Sequence, residues 1–257
     1  MISLSFPAQG VARIALNRPD KRNAMNPLLV EQLMETLKDL AVNPEVRVVL
    51  LAGEGHHFCS GADITSMQAI ADAPYKENLE DATQLALLLY TLYIFPKPTI
   101  AVTQGTTMGG GLGLLACCDI AIAADDATFC FSEVKIGLTP AIVSPYVIAT
   151  IGERRARYYF LTGYKFQASE AQSIGLVHHC VPAEKLMEKA LECCEQLLRN
   201  SPYALSEVKK LIMHVGVEKI SAELIHFTAE RLAKMRTSDE AREGLQSFLE
   251  KREPRWE

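Results

Sequence analysis

Much is excluded by what this sequence lacks. No Cys-x-x-Cys pair occurs among its seven cysteines and no His-Glu-x-x-His among its six histidines, so neither a dithiol redox motif nor a zinc site of recognisable spacing is offered. The odd number of cysteines, most of them inside apolar stretches, suits a reducing compartment. No apolar run approaches the roughly 20 residues that span a bilayer. The longest, LALLLYTLYIF at 85–95, falls well short. Basic charge is in the minority, with 26 Lys+Arg against 31 Asp+Glu, which removes the electrostatic footprint for nucleic acid or an anionic membrane. The opening MISLSF is too short and too poor in basic residues for a signal or transit peptide. The expectation is a soluble cytoplasmic protein with no metal and no nucleic-acid partner. No Pro/Ser-rich linker, low-complexity stretch or fixed-period repeat divides the 257 residues, and one catalytic unit is the simplest count.

What is present alternates. VARIALN (11–17) and EVRVVLLAG (45–53) read as strands around a helix at 26–41. The pattern recurs with a helix-like stretch at 76–95, the strand in KPTIAVTQG, a glycine-rich turn, a short helix, and two brief strands in DIAIAADDATFCF. The fold class is therefore α/β. After ATIGERRARYYFLTG the chain becomes mainly helical, with helices expected at 168–173, 183–199, 202–215 and 218–236 and little strand signal beyond GLVHHCV.

The most unusual stretch is MGGGLGLL (108–115). Glycine inside a helix costs roughly 1 kcal/mol relative to alanine, so Gly109, Gly110, Gly111 and Gly113 need a reason. Close helix-to-strand packing is one. A second is the dinucleotide fingerprint, which GLGLLA (111–116) approximates with Asp125 or Glu133 as ribose acceptor. That match is weak, because the helix is short and Asp125 comes too early. A third is that bare backbone lets amides at a helix start approach a ligand oxygen, as in an oxyanion hole. HHFCSGADI (56–64) supplies a second small-residue turn, Ser60-Gly61-Ala62, ahead of Asp63. One donor from each turn would grip one oxygen.

In order and spacing, NRPDKRNAM, FCSGADI, QGTTMGGGLGLLACCDIAIA, FSEVKIG and EGLQSFLEKREPRW resemble the enoyl-CoA hydratase/isomerase (crotonase) family across essentially the whole chain. In texture they are most like bacterial hydratases of branched or carboxylated enoyl-CoAs, including the methylglutaconyl-CoA hydratases of leucine breakdown. The resemblance implies a crotonase-like spiral of ββα units over 1–195 and a C-terminal helical region, 196–257, that drives formation of a homo-trimer or a dimer of trimers. It implies that the Ala62 and Gly110 amides bind a thioester carbonyl and that Glu133 is the acid/base. Ala62, Asp63, Ile64 and Thr65 would run along the acyl-CoA, with Lys21, Arg22 and Ala24 bordering the CoA and Lys251 reaching its phosphates. No cofactor is implied, since coenzyme A is part of the substrate.

One departure matters. Hydratases of this family usually carry two glutamates, and here Gly113 stands at the first place. Gly113 is expected to open space and remove a negative charge beside a branched or carboxylated acyl group, with Leu138, in LTPAIVSPYV, on a reshaped pocket wall. A lone Glu133 is expected to carry hydration of a 2-enoyl-CoA, the alternatives being Δ3,Δ2-isomerisation by a C2/C4 proton shuttle and a non-catalytic acyl-CoA-binding scaffold.

Overall fold

The computed structural model describes residues 1–256, which divide into two compact units, Met1–Cys194 and the segment from Glu195 onward. The first unit contains β1 (Ile2–Ala8), β2 (Val11–Leu16), α1 (Pro27–Val42), β3 (Val48–Gly53), α2 (Ile64–Ala71), α3 (Tyr75–Tyr93), β4 (Thr99–Thr103) and β5 (Thr106–Met108). It continues through α4 (Gly110–Cys117), β6 (Ile120–Ala124), β7 (Thr128–Cys130), α5 (Ser144–Ile151), α6 (Glu153–Thr162), β8 (Lys165–Gln167), α7 (Ala168–Ser173) and β9 (His179–Val181). Helix α8 (Leu186–Leu198) crosses the boundary, and α9 (Pro202–Val215), α10 (Ala222–Arg236) and α11 (Asp239–Glu250) follow.

Six strands form one sheet in the order β1-β2-β3-β4-β6-β9, antiparallel only between β1 and β2. Every residue of β3 and β4 is buried, as expected of parallel strands covered on both faces, and this explains their unbroken Val, Leu, Ile and Ala runs. A small second sheet has the order β5-β7-β8. The chain therefore repeats a long strand, a short strand and a helix, as in β4-β5-α4. An isolated parallel bridge between Cys59 and Thr107 gives the preceding unit its own one-residue short strand before α2. Each short strand hands over to its helix on the same side, so the turns around residues 61 and 109 become neighbours.

Helix α1 begins at Asn26, whose side chain accepts from the Leu29 amide at 2.9 Å, with Pro27 at its first position. It buries Leu29, Leu33, Leu37 and Leu40 at the spacing of one helical face. Helix α4 has no polar face, and Leu112, Leu114, Leu115 and Cys117 are all buried. The second unit is built differently. Ser201, Ser221 and Ser238 each cap a helix by accepting from the amide three residues on, while Phe248 and Leu249 are about four-fifths exposed.

The expected strands and helices are present, with four differences. β1, α2, α5, α6 and α11 did not show in the periodicity: α2, for instance, starts on β-branched Ile64 and Thr65, which weaken a helix signal. The helix expected at 183–199 is split into a 3-10 turn at Ala183–Lys185 and α8. The helix expected from 218 starts at Ala222, where Ser221 supplies the cap. Finally, the three-residue strands β5 and β8 have no counterpart in the expected pattern, being too short to show an alternation. No helix among the described residues is long and apolar enough to cross a membrane.

Candidate active site

Two turns meet at the head of α4. In the first, Met25 pairs with Ala62 through a parallel bridge: the Met25 amide donates to the Gly61 carbonyl at 2.7 Å, and the Asp63 amide donates to the Met25 carbonyl at 2.8 Å. This pairing consumes the groups on either side of Ala62 and leaves its own N–H without an acceptor among the described residues. In the second turn, the Gly109 amide donates to the Cys130 carbonyl at 3.2 Å, whereas the Gly110 amide opens α4 and has no acceptor among the described residues. The helix start adds positive potential at that point.

Glycine is required where the turns touch. Gly61 has φ +92°, and a Cβ there would lie 3.1 Å from the Met108 carbonyl oxygen and 3.6 Å from the Gly110 nitrogen. Gly109 has φ +47° and ψ −119°, and a Cβ on it would sit 3.3 Å from Glu133 Oε1. Glu133 therefore faces the glycine turn from the 3-10 segment Glu133–Ile136. Its Oε2 is buried with no hydrogen-bond partner among the described residues, and burial raises its pKa above the ordinary carboxylate value. A buried carboxylate with an unused lone pair is placed to accept and return a proton.

These groups open onto a cavity of about 670 Å³. Ala62, Gly110 and Glu133 line it, together with Lys21, Arg22, Ala24, Asp63, Ile64, Thr65 and Leu138. Thus ten of the twelve residues singled out in the sequence surround one space. Lys251 belongs to the second unit, where it ends α11 with φ +55°. Gly113 requires a correction. It is buried and absent from the cavity wall, and a Cβ there would lie 2.6 Å from Val143 Cγ1 and 2.9 Å from Leu89 Cδ1. The room left by the missing side chain is filled by these neighbours, and it is Val143 that reaches the cavity.

The three basic residues of NRPDKRNAM, Arg18, Lys21 and Arg22, face different ways. Lys21 and Arg22 are exposed at the cavity rim, but Arg18 turns inward and pairs with Asp63 at 2.8 Å. Asp63 in turn accepts from the Thr65 and Ser66 amides at 2.9 and 3.3 Å, capping α2. Arg18, followed by these amides, holds the Asp63 carboxyl below the ordinary range against the opposing effect of burial. Sequence reasoning missed this pair, and it missed the fully buried Asn23, whose side chain donates to the Glu54 and His57 carbonyls. The left-handed φ of +55° at Asn23 has only a weak sequence signal, the tolerance of asparagine for that region. Beneath the turns, burial pushes the Cys59 thiol up to about 12, which leaves it unreactive.

The enoyl-CoA hydratase/isomerase family profile matches residues 7–257. The chain belongs to that family. An enoyl-CoA hydratase from Shewanella pealeana shares 40% identity and a TM-score of 0.96, over 99% of this chain and 95% of that one. A hydroxycinnamoyl-CoA hydratase-lyase of Pseudomonas fluorescens is 37% identical over 78% of this chain and 74% of its own length. A mevalonyl-coenzyme A hydratase of Aspergillus fumigatus is 30% identical over 98% and 93%. Within this crotonase fold the two unpaired amides and Glu133 line the same cavity as the exposed cations Lys21 and Arg22.

Proposed function

We propose that the protein hydrates the 2,3 double bond of a 2-enoyl-CoA, with Glu133 as its one acid/base. The observation that carries this reading is the buried Oε2 of Glu133, unpartnered among the described residues, beside two amides that have no acceptor among them. A thioester carbonyl accepting from Ala62 and Gly110 would be polarised, and its oxygen would take the charge that develops as water adds at C3. Ionised Glu133 would take a proton from that water as its oxygen bonds to C3. The carboxylic acid so formed would return the proton to C2, quenching the enolate and restoring the carboxylate. Lys21 and Arg22, exposed on one loop, suit the phosphates of CoA.

The acyl group is read as branched and compact. Leu138, Ile142 and Val143 present an apolar wall. A carboxylate on the acyl tail, as in a methylglutaconyl group, would find Lys21 and Arg22 as the only basic side chains in the lining, and these are assigned to CoA. An adjoining cavity of about 680 Å³, sharing Ala62, Met67 and Leu85, carries Glu31, Glu35 and Asp81 against Lys38, so a tail entering it should be neutral.

The test is Glu133→Gln, assayed by loss of enoyl absorbance with crotonyl-CoA and 3-methylcrotonyl-CoA. Turnover is expected to fall by about 10²–10⁴, the usual contribution of a positioned proton-transfer group. Retention within a few-fold would rule out the single-carboxylate mechanism.

A further inference from the structure

We infer that Arg18 is a positioning residue for the Ala62 amide, acting through a fork that grips both sides of the Met25–Ala62 bridge. Its Nη1 donates to the Ala24 carbonyl at 2.5 Å, and its Nη2 contacts Asp63 Oδ2 at 2.8 Å. Ala24 precedes Met25 and Asp63 follows Ala62, so one planar guanidinium ties the two strands of the bridge together next to the bridging residues themselves. The arrangement is deeply set, with the Arg18 and Asp63 side chains 14% and 11% exposed. A lysine could offer its charge but not two donors in fixed relative directions.

Arg18 is itself held. Its amide donates to Asn23 Oδ1 at 2.8 Å, and its carbonyl accepts from the Asn23 and Lys21 amides, both at 2.9 Å. Asn23 is anchored in turn to the Glu54 and His57 carbonyls. A continuous set of bonds thus runs from the end of β3 through Asn23 and Arg18 to the turn that carries the Ala62 amide. Neither Arg18 nor Asn23 lines the cavity, whereas Ala24 and Asp63, the two residues that Arg18 grips, do, so the effect of Arg18 on chemistry is indirect. An amide whose hydrogen bond to the carbonyl strengthens as charge develops lowers the barrier by more than it tightens binding. Loosening the turn should therefore act on kcat and leave affinity for the CoA portion alone.

This inference rests on the assignment of Ala62 as a carbonyl donor, and the experiment separates the two. The carbonyl stretch of bound, carbon-13-labelled butyryl-CoA, a saturated thioester that cannot be hydrated, is recorded by difference infrared spectroscopy. Wild type is expected to lower that frequency relative to free butyryl-CoA. Arg18→Lys is expected to move the band back toward the solution value and to reduce kcat about 10-fold or more, below the ~10²–10³ of losing a donor outright. The dissociation constant of free CoA should stay within about twofold. Asp63→Asn keeps an oxygen for the α2 cap and is expected to shift the band in the same direction but less. The double variant should lose less than the two single losses combined, because both act on one contact. A cooperative melt in each variant establishes that it is folded.

A folded Arg18→Lys with an unmoved band and unchanged kcat would overturn the inference, as would weakened CoA binding with kcat retained, which would make Arg18 a phosphate contact. No shift in wild type would overturn the Ala62 assignment and this inference with it.

Discussion

The two turns that present free amides to the cavity are held by opposite means. The Ala62 turn is fixed by side chains: Asp63 on Arg18, and both on the Met25 bridge. The Gly110 turn is fixed by having none, since its backbone lies against the first turn and Gly113 is filled in by Val143 and Leu89. A turn held by polar side chains can be loosened in steps through charge and geometry. A turn held by close backbone approach has no such intermediate, because one added carbon either fits or forces the helix start to move.

The sharpest test of this contrast is Gly109→Ala. It places an L-residue at φ +47° and ψ −119°, a conformation costing on the order of 1–3 kcal/mol, and it crowds Glu133 Oε1. Steady-state kinetics are expected to show a loss of about 10²–10³ in kcat, the scale of removing a carbonyl donor, larger than for Arg18→Lys. Equal losses would mean that the turns are not held differently.

Gly113→Ala should do less to chemistry and more to stability. The added methyl meets Val143 and Leu89 at 2.6 and 2.9 Å, overpacking that costs typically 1–3 kcal/mol, seen as a lower melting temperature. Pairing it with Val143→Ala should recover part of that loss. Full stability in the single variant would show that the helix can shift, and the brittleness assigned to this turn would be wrong.

The smallest expected effect concerns Glu133. Its folded pKa is raised, so the native state is penalised as pH rises from the unfolded-state value through the folded one. Glu133→Gln should therefore melt above wild type at neutral pH, with the difference closing as pH falls below the ordinary glutamate value of 4.5. Asp63 has the opposite sign. Its lowered pKa makes the Arg18 pair a source of stability above the ordinary carboxylate range, lost as pH falls through the depressed value. The same scan on Asp63→Asn should give a neutral-pH loss that also disappears in acid.

The contrast also explains what could be read from sequence. Glycines with positive φ leave a mark in the residue string, so the Gly109–Gly111 turn and its free amide were legible, and the βαβ alternation followed from unbroken apolar strands. Arg18 left no such mark. A basic residue in NRPDKRNA reads the same whether it faces solvent or a carboxylate 45 positions later, and only the fold decides. Gly113 misled for a related reason: an absent side chain says that space is wanted, not whether ligand or a neighbouring valine fills it. Helix α2 and its Asp63 cap were likewise hidden, since Ile64 and Thr65 favour strand locally and tertiary packing overrides them.

The most direct test of the central claim, one carboxylate adding water across an enoyl thioester, is the mass of the product formed in heavy water. Purified protein would be incubated with crotonyl-CoA, 3-methylcrotonyl-CoA, 3-methylglutaconyl-CoA and a 3-enoyl-CoA. The account predicts gain of one heavy water by a 2-enoyl-CoA, with the neutral branched thioester turned over faster than the carboxylated one. Deuterium uptake into the 3-enoyl-CoA, with no water added to any substrate, would contradict it and make Glu133 a shuttle between C2 and C4.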